Sequence, residues 1–352
     1  MESFILTFLF GLIFGLLLFK LKVPGGMMVG AIIGSTVLNV IFDNAYMPNY
    51  AKIAAQITAG AFIGCSVDKS DLIQLKNIVK PMIIVLISLL ILNIFIGFII
   101  YFISPLDLVT SLMCCVPGGI SDTPIIAADM GADSSKVVAM QFARLVMGLG
   151  LFQTLISITN KRFVGDNVEI SNDKTQNTKK VNNNSKKQLI LFLVTLIIAS
   201  ICGIIGKYTK IPGGILLFSM IGVTAFKLIY GKAYLPMWAK RIAQVLAGTY
   251  VGSSIGVNEI LELRYIVVPT IILILGYILN CIIVGSILYK KYNFSLKEAM
   301  LAATPAGASD MALISGDLGV DSANLVVMQI IRLLVVVAVF PQIIYLIVLY
   351  FG

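Results

Sequence analysis

The chain has 352 residues, of which 59% are hydrophobic and 12% are charged, and its mean hydropathy is +0.99. Soluble domains carry roughly 25% charged residues, so this composition excludes that class and predicts an integral membrane protein. Histidine is absent and the five cysteines lack metal-ligand spacing, so we expect no metal site. No nucleophile stands beside an activating partner, and we therefore predict that the protein is not an enzyme.

Six apolar segments fill the first half of the chain, each close to the roughly 20 residues that a helix needs to cross a bilayer. They cover residues 3–19, 25–43, 51–67, 79–103, 107–130 and 135–159. The first has neither a basic start nor a cleavage site, so we interpret it as a retained span rather than a signal peptide. The pattern predicts an all-α polytopic membrane protein.

The second half repeats the first at an offset of 188 residues. Residues 117–144 and 305–332 are identical at 13 of 28 positions. We therefore predict transmembrane repeat 1 at residues 1–159 and transmembrane repeat 2 at residues 189–352. The polar linker between them, residues 160–188, holds seven of the basic residues behind the net charge of +9. We interpret it as a cytoplasmic retention signal rather than a nucleic-acid-binding face.

The fifth segment is interrupted by Val-Pro-Gly-Gly-Ile-Ser-Asp-Thr-Pro at residues 116–124. A lipid-exposed helix cannot continue through it, so the segment is either a broken crossing helix or a re-entrant hairpin. Five crossings plus a hairpin divide the basic residues nineteen to five between the two sides, against fifteen to nine for six crossings. The positive-inside rule favours five. Because five is odd, the repeats would be inverted, with both termini outside and the linker cytoplasmic.

Inverted repeats bring the two hairpin tips, residues 118–122 and 306–310, together near the midplane, where we expect a binding site. Glycines let the backbone approach a ligand, and aspartates can hold Na⁺ or a proton. The alternative role of each Ser-Asp pair is to cap the following half-helix. The candidate substrate- and ion-binding residues are Gly118, Gly119, Ser121, Asp122, Thr123, Gly307, Ser309, Asp310, Gln141, Arg144, Gln329, Arg332, Asp129 and Asp317.

Several of these side chains have two possible roles. Asp129 and Asp317 fall near the C-terminal end of a half-helix, where the dipole opposes their charge, so they need partners. Arg144 and Arg332 each follow a glutamine by three residues on one helix face. Arginine can grip a carboxylate at two points, and that carboxylate is either the substrate's or an internal aspartate's.

Two small-residue segments are interpreted as packing faces. Gln56 precedes Gly60-x-x-x-Gly64, and Gln244 precedes Gly248-x-x-x-Gly252 in the second half. Glycines at this spacing allow helices to approach closely. Such faces are also compatible with a homodimer.

The Pro-Gly-Gly-Ile-Ser-Asp and Ala-Asp-Met-Gly-Ala-Asp segments, followed by Met-Gln-x-x-Arg, resemble those of the AbrB-type membrane family in both halves. More distantly, the family resembles cation/proton antiporters and anion transporters, which have inverted repeats and a scaffold-and-core division. The resemblance implies a secondary transporter of a small organic anion, coupled to Na⁺ or H⁺, with elevator motion. The alternative, implied by the family label, is a membrane-bound regulator or sensor linked to regulation of gene expression.

Overall fold

The computed structural model describes residues 2–23, 25–147, 155–156, 158–159, 185–292, 294–305 and 323–351. The regular secondary structure of these ranges is helical and they contain no strand, which confirms the all-α class. By length and composition, five helical stretches can cross a membrane, and this supports the membrane assignment. They are residues 3–20, 78–103, 187–208, 257–292 and 324–351.

The helices of the first half follow the predicted segments closely. They are α1 (Glu2–Lys20), α2 (Gly26–Phe42), α3 (Asn49–Cys65), α4 (Lys69–Ile103), α5 (Leu108–Cys114), α6 (Thr123–Asp129) and α7 (Ser134–Met147). The main difference is α4, which begins at Lys69 rather than at residue 79. Its start is polar, and the Asp71 side chain accepts the backbone N–H of Asp68 at 2.7 Å.

The second half contains a corresponding series. Its helices are α8 (Ser185–Tyr208), α9 (Gly214–Tyr230), α10 (Met237–Gly252), α11 (Val257–Glu262), α12 (Val267–Tyr292), α13 (Leu296–Ala303) and α14 (Ala323–Phe351). Helix α8 starts inside the predicted linker 160–188. The second predicted tip, with Gly307, Ser309 and Asp310, lies outside the described residues, as does Asp317.

The Pro-Gly-Gly motifs build the same turn twice. Gly25 and Gly213 precede α2 and α9 with φ angles of 65° and 63°, a left-handed conformation that glycine adopts without steric cost. Lys22 and Lys210, three residues earlier in each turn, are also left-handed. The matching geometry shows that the 188-residue repeat extends to backbone conformation.

The helices form two packed groups. Helices α1, α2, α3, α8, α9 and α10 pack on one another and form what we call the scaffold group. The hairpin group consists of α4, α5, α7, α12, α13 and α14, whose buried apolar side chains make one large cluster. Helix α6 contacts α5 and α7 on one side and α10 on the other, so it lies where the groups meet.

Helices α3 and α10 cross antiparallel at the centre of the scaffold group. Near the start of α3, the Lys52 ammonium lies 5.3 Å from the ring centroid of Tyr250, near the end of α10. Near the start of α10, the Lys240 ammonium lies 3.9 Å from the ring centroid of Phe62, near the end of α3. The two contacts are equivalent under the 188-residue offset.

The glycine faces join helices from different halves. A Cβ on Gly60 of α3 would lie 2.4 Å from the carbonyl oxygen of Leu216 in α9. A Cβ on Gly248 of α10 would lie 2.6 Å from the carbonyl oxygen of Met28 in α2, which is the counterpart of Leu216. The packing interpretation is therefore confirmed. Because these faces are occupied within the chain, a homodimer, which stays a prediction, needs another surface.

Candidate functional site

The interrupted fifth segment of the first half turns back on itself. The backbone N–H of Asp133, just after α6, donates to the Thr110 hydroxyl in the first turn of α5 at 2.9 Å. The two ends of the segment therefore lie side by side. Helices α5 and α6 have seven residues each, or about 10 Å of length. The non-helical residues 115–122 form the tip between them.

Asp122 immediately precedes α6, but its side chain does not cap the helix. The backbone N–H groups of Asp122 and Thr123 donate to the Gly119 carbonyl at 3.3 and 3.1 Å, while the Asp122 side chain makes no cap hydrogen bond. Thr123 is buried at the start of α6. The Asp122 side chain is 9% exposed and lines a cavity instead of serving the helix end.

This cavity, the tip cavity, has a volume of about 510 Å³ and lies between the hairpin tip and helices α3 and α10. Its polar wall combines Ser121 and Asp122 with Lys240 and Gln244. The Gln244 amide donates to the Ser121 hydroxyl at 3.0 Å, and Lys240 interacts electrostatically with Asp122. The remaining wall is largely apolar, with Ala55, Ala59, Phe62, Ile125, Ala243 and Ala247.

A second cavity, the base cavity, has a volume of about 330 Å³ and lies at the other end of α6. Asp129, Lys52, Lys207 and Lys210 line it. The Lys52 ammonium lies 2.7 Å from one oxygen of Asp129, and the Gln56 amide donates to the other at 2.5 Å. The expectation that Asp129 needs partners is thus confirmed.

Arg144 does not have the internal aspartate partner that was one of its two predicted roles. Its guanidinium donates to the carbonyls of Val116, at 2.7 Å, and Gly118, and Gln141 donates to the Val116 carbonyl at 3.0 Å. Among the described residues it forms no ion pair, so the expected bridge to Asp122 or Asp129 is absent. The break in the hairpin leaves these carbonyls without helical partners, and the buried arginine supplies donors for them.

The second half repeats this arrangement in part. Arg332 donates to the carbonyl of Thr304 at 2.5 Å, and Gln329 donates to that of Leu301 at 3.2 Å. Thr304 is the counterpart of Val116. The Tyr277 hydroxyl donates to the Cys115 carbonyl at 2.8 Å and interacts electrostatically with both arginines. The four Gln and Arg candidates therefore lie behind the tip, away from the wall of the tip cavity.

Sequence reasoning missed several polar groups. Lys240 was counted only among the basic residues that divide between the two sides of the membrane, and Gln244 was assigned to a packing face. A usable signal was present, because Lys52-x-x-x-Gln56 recurs as Lys240-x-x-x-Gln244 and spacing of four places both side chains on one helix face. Tyr277 replaces Leu89 of the first half, so it carries no repeat signal.

Asp133 serves the start of α7. It accepts hydrogen bonds from the backbone N–H of Ser135 at 3.0 Å and from the Ser135 hydroxyl, and it pairs with the Lys136 ammonium at 2.9 Å. Burial works to raise the pKa of the Asp133 carboxyl, but the hydrogen bonds from Ser135 and Lys136 outweigh it and lower the pKa. Together with the left-handed Gly131, these contacts give the segment between α6 and α7 a structural role.

A family profile described as "Transition state regulatory protein AbrB" matches residues 1–160 and 47–348. The chain belongs to the AbrB family. It is 28% identical to "Uncharacterized protein YhjN" of Bacillus subtilis (strain 168) over 304 residues, which cover 81% of this chain and 76% of that protein. It is 25% identical to "Putative regulator AbrB" of Escherichia coli (strain K12) over 325 residues, covering 91% and 89% respectively. Neither name includes a solute.

Proposed function

We propose that this AbrB-family protein is a secondary carrier of a small organic anion, coupled to Na⁺ or H⁺. The observation that carries the proposal is the tip cavity, where a hairpin tip, a carboxylate and a lysine face a space of solute size. Intramembrane ionisable groups are costly and mark substrate or ion pathways. Asp122 is the group that would bind the coupling cation.

The proposal includes two inverted repeats, each with five crossings and a hairpin. Helix directions support the inversion. Gly248 and Gly252 of α10 pack against Met28 and Ile32 of α2 in increasing order, so α10 runs parallel to α2. The equivalent contacts make α3 parallel to α9, and α3 is antiparallel to α10. Helices α2 and α3 therefore each run in the direction opposite to that of their counterparts in the second half, α9 and α10. The hydrogen bond between Thr110 and Asp133 separately supports a re-entrant hairpin.

The predicted assignment of residues to the two sides of the membrane is supported by the contacts between charged side chains. Five crossings plus a hairpin would place Lys52, Lys207 and Lys210 outside, and all three line the base cavity. The same arrangement would place Lys227 and Asp68 on the cytoplasmic side, where the two side chains pair at 2.8 Å. The proposed topology places both termini outside and the linker inside.

The two cavities support alternating access. Lys52 and Asn49 of the base cavity are the counterparts of Lys240 and Met237 of the tip cavity. One cavity would open to each side, with α6 between them. Movement of the hairpin group against the scaffold group, as in an elevator, would then present the tip to either side in turn.

Uptake by proteoliposomes tests the carrier. We expect labelled carboxylates to accumulate when a Na⁺ or pH gradient is imposed, and Asp122→Asn to abolish the dependence on the gradient. Asp43→Asn is the matched control, because Asp43 is exposed and left-handed, a conformation that asparagine tolerates. Flux no greater than in protein-free vesicles, for every carboxylate offered, would contradict the proposal.

The same experiment distinguishes the carrier from the alternative, a membrane-bound regulator or sensor. A sensor would bind the solute at the tip cavity without moving it, so binding would persist while uptake is absent. Deleting residues 172–187 would then abolish signalling and leave binding intact.

A further inference from the structure

We infer that Lys240 and Gln244 form a two-point clamp for a carboxylate group of the transported anion. The inference rests on the proposed carrier function and narrows its solute to a carboxylate. It comes from a contact elsewhere in the chain, where the same pair of residue types already holds a carboxylate.

That contact is between Lys52, Gln56 and Asp129 in the base cavity. One carboxylate oxygen lies 2.7 Å from the lysine ammonium, and the other accepts the glutamine amide at 2.5 Å. Each oxygen thus receives its own donor, one of them charged. Charge-assisted hydrogen bonds of this kind are about twice as strong as neutral ones.

The repeat places the same pair in the tip cavity. Lys240 and Gln244 lie on α10 at the positions that Lys52 and Gln56 occupy on α3. The surroundings are also equivalent, since each lysine lies over an aromatic ring of the opposite helix, Phe62 in the case of Lys240. The two clamps have the same spacing and the same supporting helix pair.

The cavities differ in what the glutamine binds. In the tip cavity the Gln244 amide donates to the neutral hydroxyl of Ser121 at 3.0 Å, beside a volume of about 510 Å³. A bound carboxylate would receive donors from Lys240, Gln244 and the Ser121 hydroxyl. Asp122 stands in the same wall and repels an anion unless a proton or a cation neutralises it. Carboxylate binding would therefore draw a coupling cation with it.

A tethered carboxylate tests the clamp without knowledge of the solute. Ser121→Cys, with the partly exposed Cys65 and Cys202 changed to alanine, is modified with carboxyethyl methanethiosulfonate or with the uncharged carbamoylethyl reagent. At pH 7 we expect the carboxyethyl adduct to unfold about 3 °C or more above the carbamoylethyl adduct. The difference should vanish in Lys240→Met and in Gln244→Leu, and persist in Lys52→Met.

Equal unfolding temperatures for the two adducts would overturn the clamp, as would a difference that survives both substitutions. Ala59→Cys, on the facing wall of the cavity, replaces Ser121→Cys if that variant does not fold. The outcome is separate from that of the uptake assay. A stabilised carboxylate adduct without uptake would support the clamp and refute the carrier. Uptake without stabilisation of the adduct would refute the clamp and support the carrier.

Discussion

Arg144 is 5% exposed, and its guanidinium donates to main-chain carbonyls of the hairpin tip. A charge buried in a membrane protein is costly unless dipoles or counter-charges surround it. Here the unwound residues after α5 provide the dipoles, and the arginine provides the donors that they lack. Arg144 is thus a positioning residue that holds the shape of the tip from behind.

Substitution of Arg144 should therefore damage the hairpin. We expect Arg144→Met to lower the free energy of unfolding by roughly 3 kcal/mol, because two buried carbonyls lose a charged donor. The free energy of unfolding of Arg144→Lys should lie between those of the parent and Arg144→Met, because an ammonium lacks the forked donors that reach both carbonyls. Thermal unfolding in detergent measures both, with the exposed Lys80→Met as control. Equal stability of Arg144→Met and the parent would contradict this role.

Asp133 predicts a dependence of stability on pH. Its pKa is lower in the folded protein than in the unfolded chain, so its contribution is fully present above the unfolded value of about 4. The contribution is lost as the pH falls through the folded pKa. We expect Asp133→Asn to be less stable than the parent at pH 6, with a smaller gap at pH 3. A gap that is constant from pH 6 to pH 3 would exclude this explanation.

At the level of helices, glycine sets how closely α3 and α10 approach their partners. An alanine Cβ at Gly248 would lie 2.6 Å from a carbonyl oxygen and 2.8 Å from the Ala31 side chain, so the helices must separate. We expect Gly248→Ala and its counterpart Gly60→Ala to destabilise by about 1–3 kcal/mol each. Gly256→Ala, which meets only the end of a flexible glutamate within 4 Å, is the control. Unequal costs at Gly60 and Gly248 would show that the two interfaces differ.

Element boundaries were largely predictable because the breaks are local. The prolines and glycines of residues 116–124 end α5 and delay α6 whatever surrounds them. The partners of Arg144 were not predictable, since backbone carbonyls exist at every position and leave no mark in the sequence. The position of Lys240 in a cavity also escaped, because the cavity forms between helices of different halves; the repeated spacing marked the Lys240 and Gln244 pair but not what surrounds it.

At the scale of the whole molecule, the ion pair between Lys52 and Asp129 joins the scaffold group to the end of α6. If the two cavities are alternately accessible, breaking this ion pair should change the accessibility of both cavities. We expect Asp129→Asn to speed modification of a cysteine at Asn49 by an uncharged maleimide and to slow it at Met237, the counterpart. A cysteine at the exposed Tyr208 is the control. A change confined to Asn49 would indicate local loosening and contradict the coupling.

The contacts between helices of different halves have a consequence for synthesis of the protein. The glycine face of α3 packs on α9, and the glycine face of α10 packs on α2. These surfaces of α2 and α3 therefore stay uncovered until the second half has been translated. Insertion into the bilayer must therefore precede closure of these surfaces, and lipid tails cover them in the interval. Two copies of one half could reproduce the contacts only if they entered the bilayer in opposite orientations. In the proposed inverted topology, the duplication therefore points to an ancestral half that inserted in both orientations.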